Sequence, residues 1–206
     1  MPETNPWQDL NQQLWRASLA AAAVVALSGI RAASAAFDVA GVATPDAAPF
    51  AAGSLGTVDL RTPVADLVAP VVAAQPALAG YAADPESGEF PGEEENDRAE
   101  LLGLAAEMVA RAGSGLDEDA LREWADVCST LVSDFCQHLD MLAYDDPDDA
   151  PDDIPGPLTG AVLRLQQELL TLLAAPDETT MAQVSRLVEE FREPLLAAVR
   201  DALEEE

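Results

Sequence analysis

The only histidine of the chain, His138, follows Asp134 by four residues. On a helix this spacing puts both side chains on one face, where a carboxylate can orient an imidazole as a general base. The sequence contains no G-x-S-x-G nucleophile motif, no G-x-G-x-x-G and no P-loop that would complete an active site around the pair. A histidine at the edge of a core, hydrogen-bonded to a neighbour, is the simpler interpretation. We therefore expect no catalytic residues and no enzyme.

Two cysteines, Cys128 and Cys136, lie near this histidine in the sequence. Eight residues of helix separate their Cα atoms by about 12 Å of rise, whereas a disulfide needs Cα atoms within about 7 Å. We therefore expect two unpaired thiols, which is typical of a reducing compartment. No C-x-x-C or H-x-x-x-H pair accompanies them, so the sequence predicts neither a metal site nor a cofactor.

Aspartates are concentrated in one short stretch of the C-terminal half. The stretch lacks the fixed glycine and the terminal glutamate of an EF-hand loop, so we predict a solvated acidic loop. Together with a run of glutamates further upstream, it is a candidate surface for a partner with basic side chains. The residues concerned are Asp145, Asp146, Asp148, Asp149, Asp152 and Asp153 in the loop, and Glu93, Glu94 and Glu95 in the run.

The chain of 206 residues carries 38 acidic and 10 basic side chains, a formal net charge of −28, and every basic residue is an arginine. Nucleic-acid affinity depends on basic side chains that displace counterions, so we expect no direct nucleic-acid binding. Residues 1–81 hold six acids and three arginines, which leaves −25 on the remaining residues. An acidic half of this kind favours encounter with a basic partner.

The first 37 residues predict an amphipathic helix followed by an apolar one. Asn5 and Pro6 are residue types favoured at the N-cap and at the first helical position. Trp7, Leu10 and Leu14 then share one face, which makes them candidate docking residues.

An uncharged run of thirteen residues follows, from residue 18 to residue 30. It is shorter than the roughly 20 apolar residues that span a bilayer. Ala33-Ser34-Ala35 resembles a signal-peptidase site, but the leader holds Glu3 and Asp9, whereas an export signal has a positive leader. We expect a helix buried in the protein or against a partner. The alternative is export or membrane association through residues 18–36.

Prolines punctuate residues 38–96, which we predict to be an irregular Ala/Pro-rich segment. Within it, residues 56–60 are a candidate strand and residues 62–68 a candidate short helix. Residues 85–97 combine proline, glycine and like charges, as linkers do. The predicted divisions are therefore 1–37, 38–96 and an acidic helical domain, 97–206.

Four helices are predicted in that last domain, with starts at Asn96, Asp117, Pro157 and Asp177. Each carries apolar residues in steps of three and four, and Pro194 is expected to kink or split the fourth. Such helices with short connections predict an all-α antiparallel bundle, which the N-terminal Ala-rich helix could join.

The second of these helices has the clearest pattern. Its apolar seam consists of Leu121, Trp124, Cys128, Leu131, Phe135, His138 and Leu142. Its far face, expected to meet solvent, holds Arg122, Asp126, Ser133 and Asp140. A seam of this length predicts a helix packed on other helices.

The hypothesis that follows is a cytoplasmic, non-enzymatic interaction module. It would bind a protein partner with a basic or apolar docking surface, as an adaptor, an assembly or secretion chaperone, or a neutraliser of a basic protein, and it could form oligomers. One alternative is a nucleic-acid mimic that blocks a basic protein. Two others are a membrane-associated or exported helical protein and an enzyme that uses His138.

Overall fold

The chain folds as an all-α protein, as predicted. The computed structural model describes residues 6–41, 55–78, 93–112, 117–144 and 155–204. These ranges contain no β-strand, and a short 3₁₀ helix, Leu55–Thr57, lies between α3 and α4. The α-helices are α1 (Pro6–Arg16), α2 (Leu19–Ala33), α3 (Ala35–Val39), α4 (Val64–Leu78), α5 (Glu93–Ala110), α6 (Glu118–Leu142), α7 (Pro157–Ala174) and α8 (Thr180–Glu204).

Helix α2 lies at the centre of the molecule, with every residue from Ala21 to Ala33 buried. It begins after Ser18, whose Oγ accepts a hydrogen bond from the backbone N–H of Ala21 at 3.2 Å. Its side chains are mostly small, so neighbouring helices approach closely, and α2 contacts α4, α5, α6, α7 and α8. The expected buried helix is therefore present.

The same region is the candidate membrane span of the described residues. The stretch Leu19–Val39 is long and apolar enough to cross a bilayer by length and composition, with a mean hydropathy of 1.7. In the folded chain 83% of its apolar window is buried against other parts of the protein. The helices that surround it therefore supply the apolar environment that it needs.

Helix α6 is buried on more than one side. Of the predicted seam, Leu121, Trp124 and Phe135 are among the buried residues. The prediction that Ser133 and Asp140 face solvent is wrong, since both are buried. The reason is that α6 contacts α1, α2, α5, α7 and α8, so its second face also meets protein.

The candidate short helix at residues 62–68 coincides with the start of α4, but α4 continues to Leu78 with Pro70 and Pro76 inside it. The prediction of irregular structure is therefore wrong for residues 69–78. Both prolines are exposed. Each removes one backbone hydrogen bond, but Val68 and Val71, together with other apolar residues three or four positions apart, are buried where α4 packs against α2 and α5. Burial of that apolar face outweighs the lost hydrogen bonds.

One further local prediction is wrong, and one of the two outcomes expected at Pro194 is not seen. The candidate strand at residues 56–60 is replaced by the 3₁₀ helix Leu55–Thr57, which packs against α8 with Leu55 buried. At Pro194, where a kink or a split was expected, α8 is not split, and Leu195 and Val199, on the same helix, are fully buried. In both places long-range packing decides the local conformation.

Most of the predicted helix starts are close to those observed. Asp117 caps α6, accepting from the backbone N–H of Ala120 at 2.9 Å, and α7 begins at Pro157. Helix α5 begins at Glu93, three residues before the predicted cap at Asn96. One cluster of buried apolar side chains connects Leu10 with Val199, so the core includes residues from all three predicted divisions.

Candidate interaction surfaces

The net charge is distributed unequally over the helices. Helices α5 and α6 each contain six acidic residues and one arginine, a net charge of −5 on each. Helix α7 contains one arginine and one glutamate, a net charge of zero. Helix α6 contacts both α5 and α7. The fold therefore has an acidic side, formed by α5 and α6, and a neutral side at α7.

Five of the ten arginines are paired with carboxylates within the described residues, and the pairs are Arg31–Glu189, Arg111–Glu107, Arg122–Glu118, Arg186–Glu190 and Arg192–Asp38. Half of the basic side chains thus neutralise acids of their own chain. Among the described residues of α5 and α6, the carboxylates that are exposed and not paired with an arginine are those of Glu100, Asp119, Glu123 and Asp134.

Arg122 of α6 binds the backbone at the end of another helix. Its Nη1 donates to the backbone carbonyls of Trp15 (3.1 Å) and Ala17 (2.8 Å) at the C-terminal end of α1. A cation at this end compensates the partial negative charge of the unpaired carbonyls. Arg122, expected at the solvent face, instead fixes α1 to α6.

His138 lies between two carboxylates of α5. Its Nδ1 is 3.5 Å from Oε1 of Glu100 and its Nε2 is 3.8 Å from Oδ1 of Asp97. The buried Nε2 has no hydrogen-bond partner in the described part of the chain. The imidazole therefore faces the neighbouring helix, and its nearest carboxylates are not the predicted Asp134.

Asp134 itself is an exposed residue of α6. Partial desolvation raises the pKa of its carboxyl group, and the negative charge of Glu107 adds to this effect. Among the described residues no three His, Cys, Asp or Glu side chains converge in a way that could hold a metal ion.

Both cysteines of α6 are free and buried. Burial raises the pKa of the Cys128 thiol and of the Cys136 thiol, because the thiolate would lose its hydration. The Cys128 Sγ donates to the backbone carbonyl of Met108 at 3.7 Å. These thiols belong to the core, in keeping with their position along the predicted seam.

Asp140 connects the end of α6 to the start of α7. One of its oxygens accepts from the backbone N–H of Leu158 at 3.0 Å, and the other accepts from the N–H (2.8 Å) and Oγ1 (2.7 Å) of Thr159. The two N–H groups belong to the first turn of α7, where backbone N–H groups have no partner within the helix. The residue at the N-cap, Gly156, has no side chain that could satisfy them, so a distant carboxylate caps the helix.

A shallow groove of about 490 Å³ runs between α7 and α8 on the neutral side. Arg164 and Glu168 of α7 line it, together with Arg186 of α8, and the half-buried Leu172 and Leu187 form its apolar part. Polar side chains of Gln167, Thr171 and Gln183 complete the lining. The sequence-based search missed this groove, although the low charge of α7 in an acidic chain was a visible signal.

The predicted docking residues are placed as follows. Leu10 and Leu14 are 1% and 2% exposed, on a helix that packs against α6 and α7. A partner could therefore contact them only if α1 moved away from α6 and α7. The side chain of Trp7 lies outside the described residues, whereas Trp15, which the sequence did not single out, is 47% exposed.

The predicted acidic surface lies mostly outside the described residues. Glu93, Glu94 and Glu95 form the start of α5, but their side chains fall outside the described part. The aspartate loop, which comprises Asp145, Asp146, Asp148, Asp149, Asp152 and Asp153, falls outside it entirely.

Comparisons of the chain with protein-family models, with curated proteins and with solved structures find no match.

Proposed function

We propose that the protein is a non-enzymatic interaction module whose acidic side, formed by α5 and α6, binds a basic surface on a protein partner. The observation that carries this proposal is the contrast in charge within one fold. Two adjacent helices each have a net charge of −5, whereas α7, which also packs against α6, has none. Adaptor, chaperone and neutraliser of a basic protein are the roles that such a surface serves.

The exposed positions of α6 support the proposal. Asp119, Glu123 and Asp134 are all exposed, and the single arginine of this helix, Arg122, is engaged with α1 and Glu118. These carboxylates therefore act together on an approaching cation. A field of one sign accelerates the encounter with an oppositely charged partner, and the effect weakens as salt screens it.

We infer that α5, α6, α7 and α8 form the antiparallel bundle that presents this surface. Each of these helices contacts the next one in the chain. The connections of seven residues between α5 and α6 (111–117) and of five residues between α7 and α8 (175–179) favour antiparallel neighbours, and fourteen residues (143–156) join α6 to α7. A reducing compartment such as the cytoplasm is consistent with two free thiols.

A charge-neutralised variant tests the acidic side directly. The triple variant Asp119→Asn, Glu123→Gln and Asp134→Asn removes three negative charges from α6 and leaves the buried face unchanged. The tagged protein is used to capture partners from lysate of its native host at about 50, 150 and 300 mM NaCl. We expect wild type to capture a basic protein whose recovery falls with salt, and the variant to lose it.

A matched control removes the same number of charges elsewhere. Glu178→Gln, Glu193→Gln and Asp201→Asn are exposed positions on α8 or just before it. This control should retain the partner. The proposal fails if both variants lose the partner equally, since net charge alone would then explain binding, or if wild type captures no basic protein at low salt.

A further inference from the structure

The neutral side of the molecule has the features of a self-complementary contact. Of the 18 residues of α7, only Arg164 and Glu168 are charged, and Arg186 is the only charged residue between Thr180 and Leu187 at the start of α8. In a chain with a net charge of −28, another copy of the same chain meets little repulsion at this neutral side.

Arg164 and Glu168 do not pair with each other, although they are four residues apart on one helix. Other arginine and glutamate side chains at this spacing do pair, as Arg186 does with Glu190 at 2.9 Å. Within the described residues neither Arg164 nor Glu168 takes part in a salt bridge. The guanidinium of Arg164 turns toward Gly160, with Nη1 3.5 Å from the position that a Cβ would occupy there, and so away from Glu168.

We propose that a second copy of the chain docks on the groove between α7 and α8, with the two α7 helices antiparallel across a two-fold axis. In such an arrangement Arg164 of each copy faces Glu168 of the other, because a two-fold contact pairs residue i with j and j with i. The half-buried Leu172 and Leu187 lie along the same groove and would be covered.

The charges of the groove favour a second copy over other occupants. A basic partner is attracted more strongly to α5 and α6, which have a net charge of −5 each. An anionic ligand would approach Arg164 and Arg186 but would also meet Glu168. A surface that carries both signs one helical turn apart is complementary to its own copy, and two ion pairs per dimer would form.

Charge reversal tests the pairing. Sedimentation equilibrium of the full chain from about 1 to 300 µM, in about 150 mM NaCl, should show a mass that rises toward twice that of the monomer. Arg164→Glu and Glu168→Arg should each weaken the dimer by about tenfold or more, because each places like charges opposite each other twice. The double variant should recover the wild-type affinity to within about threefold.

Mixing the two single variants provides a second measurement. Arg164→Glu offers two acids and Glu168→Arg offers two bases, so an equimolar mixture should form heterodimers more tightly than either variant forms homodimers. Circular dichroism and thermal unfolding establish that each variant is folded. Arg111→Glu is the matched control, because it makes the same charge change near the end of α5 and should leave the dimer intact.

The proposal is overturned if wild type stays monomeric over this concentration range. It is also overturned if Arg164→Glu dimerises as wild type does, which would place the contact on another face. A third contrary result is a folded double variant, or a mixture of the two single variants, that fails to associate.

Discussion

The carboxylate of Asp140 lies directly over the backbone of Gly156, so closely that a Cβ added at Gly156 would be 2.6 Å from the Cβ of Asp140. The same carboxylate accepts hydrogen bonds from the first turn of α7. A glycine at this position is therefore needed to let a buried acid reach the helix terminus.

Gly156→Ala should destabilise the protein by about 2 kcal/mol, because the added methyl group displaces a carboxylate held by three hydrogen bonds. Gly160→Ala, one turn further along α7, is the matched control. A Cβ there meets only Nη1 of Arg164 at 3.5 Å, so the higher helix propensity of alanine should stabilise by about 0.5–1 kcal/mol. Urea denaturation of both variants measures the difference, and equal effects would contradict the proposed crowding.

In the ion pair between Arg31 and Glu189, removing Glu189 should cost more stability than removing Arg31. Arg31 is 7% exposed in its side chain and Glu189 is 36% exposed, and their closest atoms are 2.8 Å apart. Glu189→Ala leaves a buried guanidinium without its carboxylate and should cost about 3 kcal/mol. Arg31→Leu leaves a carboxylate that water can reach and should cost about 1 kcal/mol or less. Chemical denaturation at pH 7 tests the order, and a larger loss for Arg31→Leu would refute it.

Asp177 predicts a dependence of stability on pH. Hydrogen bonds donated mainly by the hydroxyl and backbone of Thr179 lower the pKa of this carboxyl group in the folded chain. Its contribution to stability is therefore present above the pKa of an unfolded aspartate and is lost as the pH falls through the folded value. Asp177→Ala should lower the unfolding midpoint at pH 7, and the deficit should shrink as the pH approaches 3. Exposed Glu178→Ala is the neighbouring control, with little effect expected at either pH.

The thiols of Cys128 and Cys136 should react with disulfide reagents only when the chain is unfolded. Burial raises the pKa of both groups, so the thiolate that reacts with disulfide reagents is scarce in the folded chain. A thiol-specific disulfide reagent should label neither cysteine in buffer and both in concentrated urea. Rapid labelling of the folded protein would show that α6 is less tightly packed than described.

Local chemistry made several elements of this fold predictable. A side-chain cap at Asp117 and a proline at position 157 act within one helical turn, so the starts of α6 and α7 can be read from the sequence. The full length of helix α4 could not be predicted from local sequence in the same way. Its prolines argue against a helix locally, whereas the burial that stabilises it comes from α2 and α5, far away in the chain.

The contacts of the candidate site residues likewise depend on helices that are distant in the sequence. Asp134 was a reasonable partner for His138 by spacing, but the carboxylates that approach the imidazole, Asp97 and Glu100, belong to α5. The burial of Asp140 also depends on another helix. The sequence does contain one signal of this burial. Gly156, before Pro157, has no side chain that could cap α7, so a carboxylate from elsewhere must accept the hydrogen bonds of its first turn.

The central position of α2 has a consequence for biosynthesis. This helix is synthesised before α6, α7 and α8, against which it packs. Until those later segments emerge, only α3, α4 and α5 are available to cover this apolar helix, and its contacts with α6, α7 and α8 cannot form. Such a delay between synthesis and burial makes cotranslational assistance by a holdase valuable. It also makes the burial of α2 depend on helices far along the chain.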